Sequence, residues 1–157
     1  MEHPWFRNIK TLEVNTLQIP LSVIELMRKF KGVSTLRKSA LILLVKIVDS
    51  NEIRELNKVF QEIDTDHSGL IDASELKNAI SNSKVKITER EAQELIDSID
   101  NNLNTKIDYT EFLASTINLD KALTQQKIHA LFNCFDVDHK GQISGQNIKT
   151  AFTKFGR

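Results

Sequence analysis

One grammar recurs along this chain at a constant interval of 36 residues: oxygen-bearing side chains at alternate positions, a turn at the sixth, an isoleucine at the eighth and a carboxylate or amide at the twelfth. The copies run from Asp64 to Glu75, from Asp100 to Glu111 and from Asp136 to Asn147. Apolar residues approach the loops at helical spacing, with Ile53, Leu56, Val59, Phe60 and Ile63 before the first and Ala92, Leu95, Ile96 and Ile99 before the second. Each repeat therefore predicts a helix, an oxygen-lined loop and a second helix. Thr88 with Glu91 forms a capping-box signature, and the pairs Asp72/Glu75 and Asp108/Glu111 start the exiting helices in the same way.

A hard divalent ion of calcium's size takes about six to eight oxygens, and a twelve-residue EF-hand loop supplies them from its first, third, fifth, seventh, ninth and twelfth residues. In the first loop Asp64, Asp66 and Ser68 offer side-chain oxygens, Leu70 its carbonyl, Asp72 a direct or water-mediated ligand and Glu75 a bidentate carboxylate. Gly69 permits the sharp turn. The second loop keeps Asp100, Asn102, Asn104, the Lys106 carbonyl, Asp108 and Glu111, but sets Thr105 where the turn favours glycine. It carries three acidic side chains against four in the first loop, which predicts binding at lower affinity. The third loop has Lys140 at its fifth position and Asn147 at its twelfth, so it predicts a hand that keeps its fold without metal. Two calcium ions per chain are expected. Ile71 and Ile107 pair the first two hands, whereas a strand around Ile143 is left with an unpaired edge. That edge predicts a homodimer through the third hand, or coverage by another segment.

The chain has 157 residues, 40% of them hydrophobic, and no formal net charge. Nothing in that balance points to a nucleic-acid surface, and no apolar run reaches the roughly 18 residues of a membrane span. No signal-peptide pattern opens the sequence, so a cytoplasmic protein is expected, with no membrane contact in this stretch. The single cysteine, Cys134, lies among Leu131, Phe132 and Phe135 and reads as core. Phe112, Leu113, Phe152 and Phe155 extend the aromatic core. The clustered carboxylates are accounted for by ion ligation, which leaves no set for a hydrolase, and no catalytic residue is assigned.

Ahead of the repeats, Ser22 and Glu25 give another capping-box signature, followed by Ile24, Met27, Phe30, Leu36, Ala40, Leu43, Leu44 and Ile47. The pattern predicts one long amphipathic helix from about Ser22 to Val48, on the order of 40 Å, with Gly32 as its weak point. Arg28, Lys29, Lys31, Arg37, Lys38 and Lys46 make it basic, as in a helix that fills an EF-hand groove. Ser34 and Ser39 read as plain surface serines. The fold class is thus all-α: one complete EF-hand pair plus a third hand, with a long junction helix in front. The expected divisions are 1–19, 20–50, 51–118 and 119–157.

In this order the residues resemble the carboxy-terminal regulatory region of a calcium-dependent protein kinase, a Ser/Thr kinase joined to calmodulin-like hands through an autoinhibitory junction. Glu2-His3-Pro4-Trp5-Phe6 is similar to the end of a kinase catalytic domain, and Phe30 with Leu36-Arg37-Lys38-Ser39-Ala40-Leu41 resembles the junction. The family usually carries four hands, and the Gly-rich, His-Arg-Asp and Asp-Phe-Gly motifs of ATP binding and phosphoryl transfer are missing from these 157 residues. The resemblance therefore implies a non-catalytic piece of a longer kinase, one that a missing amino terminus is able to attach to a membrane. It implies that the junction blocks the kinase domain at resting calcium and that the hands take it up when calcium binds. Arg28, Lys29, Phe30 and Lys31 are the candidate inhibitory contact, by mimicry of a basic substrate. The alternative is a free-standing EF-hand sensor or buffer that binds a separate protein.

Overall fold

The computed structural model describes residues 19–48, 50–83 and 85–155. The kinase-like stretch from Glu2 to Phe6 and the side chain of Phe155 lie outside the described residues. Helices α1 (Leu21–Lys29) and α2 (Thr35–Ile47) precede the first hand, made of α3 (Ser50–Ile63), β1 (Leu70–Ile71) and α4 (Ala73–Asn82). The second hand is α5 (Glu89–Ile99), β2 (Ile107–Asp108) and α6 (Tyr109–Thr116). A short helix α7 (Leu119–Ala122) leads to the third hand, α8 (Gln125–Phe135) and α9 (Gly145–Phe155).

The capping signatures inside the hands form as the sequence predicts. Asp72, Thr88 and Asp108 each accept from the backbone three residues on, while Glu75, Glu91 and Glu111 reach back to the cap residue's N–H. Each box satisfies two of the amides that a helix start leaves without partners. Between the loops, β1 and β2 run antiparallel with Leu70 opposite Asp108 and Ile71 opposite Ile107. Both isoleucines are fully buried, and burial of such a side chain contributes about 1.5–3 kcal/mol.

The expected continuous junction helix is broken. The chain leaves α1 after Lys29, passes Gly32 at φ +82° and restarts at Thr35. A positive φ is open to glycine without steric cost, and Ser34 accepts from the Arg37 amide to cap the new helix. The Ser22/Glu25 box does not form either: Pro20 stands at the N-cap of α1 with no side-chain cap bond. The break follows from packing. It turns Ile24, Met27 and Phe30 of one segment and Leu41, Leu44 and Val45 of the other into a single core with the first two hands. Leu36, counted with the apolar stripe, is 47% exposed beside that break.

The main core gathers Phe60, Ile63, Leu76, Ile80, Ile96, Ile99 and Phe112 from the hand pair. Phe60 meets Phe112 edge-on at 5.5 Å and Tyr109 at 5.2 Å, the geometry that the ring quadrupoles favour. A second, smaller core joins Leu43 of α2 to Phe135 and Ala151 of the third hand, with Ala40, Leu131, Cys134 and Phe152 packed around it. The expected strand at Ile143 is absent: among the described residues the sheet consists of β1 and β2, and Ile143 is 40% exposed. A two-residue strand needs a hydrogen-bonded neighbour, and the third hand is offered none.

Candidate metal centre

The end of α3 and the start of α4 carry the first loop's outer ligands. Asp64 and Glu75 are both buried, and Asp66 approaches them from the exposed side. Ligand oxygens of these three residues lie within 4.8 Å of one another. Backbone donors hold this arrangement. The Ser68 and Gly69 amides donate to the two oxygens of Asp64 at 3.0 and 2.9 Å, and Glu75 accepts from the amides of Thr65, Asp66 and Asp72 at 2.9, 3.3 and 3.1 Å. Ser68 and Asp72 sit in the same loop, with the Ser68 hydroxyl donating to the Leu70 carbonyl at 3.0 Å. Three converging carboxylates with neutral donors between them leave negative charge for a hard cation, and the donor set therefore fits calcium.

Hydrogen bonds from the Ser68 side chain and amide hold the Asp66 carboxyl below its usual range, and the Lys106 ammonium adds to them. Asp72 is likewise held low, by the Glu75 amide first, then by the Ser74 hydroxyl and more weakly by Lys106. Both carboxylates are therefore ionised and ready for a cation at neutral pH.

The second loop repeats this frame. Leu103 and Thr105 amides donate to Asp100 at 2.7 and 2.8 Å, and Glu111 accepts from the amides of Asn101, Asn102 and Asp108 at 2.8, 3.2 and 3.0 Å. Asn102 and Asn104 occupy the third and fifth positions, where each accepts from a backbone amide two residues on. Thr105 takes φ +63° where the first and third loops have Gly69 and Gly141 at +79° and +75°. The expected strain is thus present, of a kind that costs a non-glycine residue roughly 1–2 kcal/mol. Burial raises the Glu111 carboxyl, against the pull of its three backbone donors.

The third loop is closed by different chemistry. Asp136 keeps its amide partners, Lys140 and Gly141, at 3.0 and 2.8 Å. Asn147 accepts from the Ser144 amide at 3.0 Å and from the Ser144 hydroxyl, and its NH₂ donates to Asp138 at 2.9 Å. The Lys140 ammonium lies 3.1 Å from the other oxygen of Asp138. Where the first loop turns carboxylates toward carboxylates, this one sets an amide donor and a cation against its carboxylate. The Asn147 bond first, and Lys140 with it, hold the Asp138 carboxyl low. Its donor set does not fit calcium.

The four candidate inhibitory residues do not form one patch. Arg28, Lys29 and Lys31 are exposed, while Phe30 is buried under the Lys38 ammonium, 5.9 Å from the ring centre. Lys31 reaches Glu94 of α5 at 3.4 Å, and Arg28, Lys31, Glu91 and Glu94 line one shallow cleft. Among the contacts that escaped the sequence reading are this one, which needs α1 placed on α5, and an ion pair of Lys106 with Asp72 across the loops at 3.8 Å. The second was within reach of the sequence, through the pairing of Ile71 with Ile107.

Family models described as an EF-hand domain pair match residues 53–117 and 114–146. Over 156 residues, 99% of this chain, the sequence is 32% identical to calcium-dependent protein kinase 9 of Arabidopsis thaliana, covering 28% of that protein. It is 31% identical to calcium-dependent protein kinase 33 of the same plant over 99% of the chain and 30% of the relative. With calcium-dependent protein kinase 19 of Oryza sativa subsp. japonica it shares 30% over 96% of the chain and 28% of the relative. The chain spans less than a third of the length of these curated relatives.

Proposed function

We propose that this EF-hand chain, similar along nearly its whole length to calcium-dependent protein kinases, is the calcium-sensing regulatory region of such a Ser/Thr kinase. One observation carries the reading: α1 and α2 bury Ile24, Met27, Phe30 and Leu44 in the core of the hands themselves. A basic amphipathic segment held in this way is an internal target, and it favours the regulatory reading over a free-standing sensor, whose groove must stay open for another protein.

Asp64, Asp66, Ser68, Leu70, Asp72 and Glu75 would hold one ion, and Asp100, Asn102, Asn104, Lys106, Asp108 and Glu111 a second. Calcium would supply the positive charge that offsets the burial of the Glu111 carboxylate. The hands with α1 and α2 seated are the arrangement to which calcium must bind more tightly for the ion to drive uptake of the junction. In that arrangement Lys31 is engaged by Glu94. Freed from α5, Arg28, Lys29 and Lys31 are available to the substrate groove of the kinase domain. The whole protein acts in the cytoplasm on this reading, and Ile143 is the contact through which a second copy of the chain would pair.

Native mass spectrometry during a calcium titration in excess magnesium tests the ion count, with two per chain expected; three or none would reject the assignment. Charge reversal at Lys29 and Lys31 in the intact kinase is expected to raise its calcium-free activity. Unchanged activity rejects the inhibitory role.

A further inference from the structure

The register of β1 on β2 sets Leu70 opposite Asp108 and Ile71 opposite Ile107. One step further along the same antiparallel ladder, Asp72 comes opposite Lys106. The seventh residue of each loop therefore faces the ninth residue of the other, and the two crossings differ in charge. Asp108 faces the apolar Leu70, whereas Asp72 faces Lys106 with Nζ 3.8 Å from Oδ2. Their side chains are 37% and 35% exposed, so the pair is neither fully solvated nor buried. Opposite charges on directly paired residues stabilise a ladder, and this one is fixed by the isoleucine pair beside it.

We propose that Lys106, a residue of the second loop, sets the calcium affinity of the first loop and brings the two sites level. The inference rests on the calcium reading above. The first loop carries Asp64, Asp66, Asp72 and Glu75, and the second Asp100, Asp108 and Glu111. Lys106 offsets one of the four, so each site presents about three net negative charges to an arriving ion. The lower affinity expected of the second loop from its carboxylate count alone is thereby removed on the electrostatic side. No equivalent cation acts in the reverse direction, because Leu70 occupies the matching position. An ammonium about 8 Å from a divalent site, at an effective dielectric between the roughly 20 of a protein surface and the roughly 80 of water, lowers affinity about three- to tenfold at physiological salt.

Calcium titration calorimetry on the whole chain tests this, with Glu111→Gln present so that the first loop alone is read. Adding Lys106→Gln is expected to raise that loop's affinity about three- to tenfold, with a gain that shrinks as KCl is added, while Lys106→Arg keeps the original value. The mirror experiment uses Glu75→Gln to isolate the second loop, whose affinity Leu70→Lys is expected to lower by a similar factor. First-loop binding that Lys106→Gln shifts by less than about twofold overturns this inference and leaves the calcium reading standing. No calcium uptake by the unaltered chain overturns both. Should Lys106→Gln fail to fold, the mirror variant decides alone, and an unchanged second loop refutes the proposal.

Discussion

Gly32 is the residue on which the bent junction depends, and replacing it with alanine has a calculable effect. A Cβ at this position meets no heavy atom within 4 Å, so the substitution acts through the backbone alone. Holding alanine at φ near the observed +82° costs roughly 1–2 kcal/mol, and the stiffer unfolded chain returns about 0.4–1 kcal/mol of that. The net loss in stability is about 1 kcal/mol. In a continuous helix the preference reverses, because alanine is favoured over glycine by about 1 kcal/mol. The balance between bent and straight junctions thus shifts by about 2 kcal/mol toward the straight form. Urea unfolding of the calcium-loaded chain is expected to show the stability loss. The calcium midpoint is expected to rise several-fold, with a ceiling of roughly 30-fold set by that shift. Gly32→Asn, which tolerates the left-handed region better, falls between the two. A Gly32→Ala chain as stable as the original, with an unmoved calcium midpoint, refutes the coupling of bend to hands.

Further outcomes follow from other sites. Ile71→Ala empties a fully buried position on the shared ladder and is expected to cost about 2–5 kcal/mol by chemical denaturation; because the ladder joins both loops, it weakens calcium binding at each. Lys140→Asp combined with Asn147→Glu gives the third loop four carboxylates and is expected to add one ion per chain in native mass spectrometry; an unchanged count would show that the donor set does not keep calcium out. The backbone and hydroxyl of Thr88 hold the Glu91 carboxyl below its usual 4.5. A depressed folded-state value means that this cap contributes stability above the ordinary glutamate range and loses it as pH falls through the lowered value. The advantage of the unaltered chain over Glu91→Ala, read by thermal melts without calcium, is therefore expected to vanish in acid and to be constant near neutrality.

The loops, the hand helices, their capping boxes and the Ile71–Ile107 pairing were legible because each is written within a few residues of sequence. The break at Gly32 was not. Glycine inside a helix costs only about 1 kcal/mol, too little to decide between straight and bent before the burial of Phe30 and Leu44 in one core is known. Ser22 and Glu25 matched a capping pattern, yet Pro20 begins α1 and Ser34 caps α2, since the position of a helix end is set by what it packs against. Lys140 and Asn147 are the sequence grounds for expecting a third loop without metal. The bond from the Asn147 NH₂ to Asp138 was hidden because an amide reads equally well as donor or acceptor until its neighbours are placed.

Helix α2 belongs to both apolar cores: Leu41, Leu44 and Val45 face the hand pair, and Leu43 faces the third hand. Leu43 and Leu44 are adjacent in sequence and about 100° apart around the helix, so neighbouring faces of a single turn grip two different bodies. The third hand is then cargo on the junction. A pull that lifts α2 from the calcium-binding pair carries α8 and α9 along with it, and a grip on those outer helices restrains α2 in return. A loop whose donors turn inward on one another would still take part in the response, as ballast.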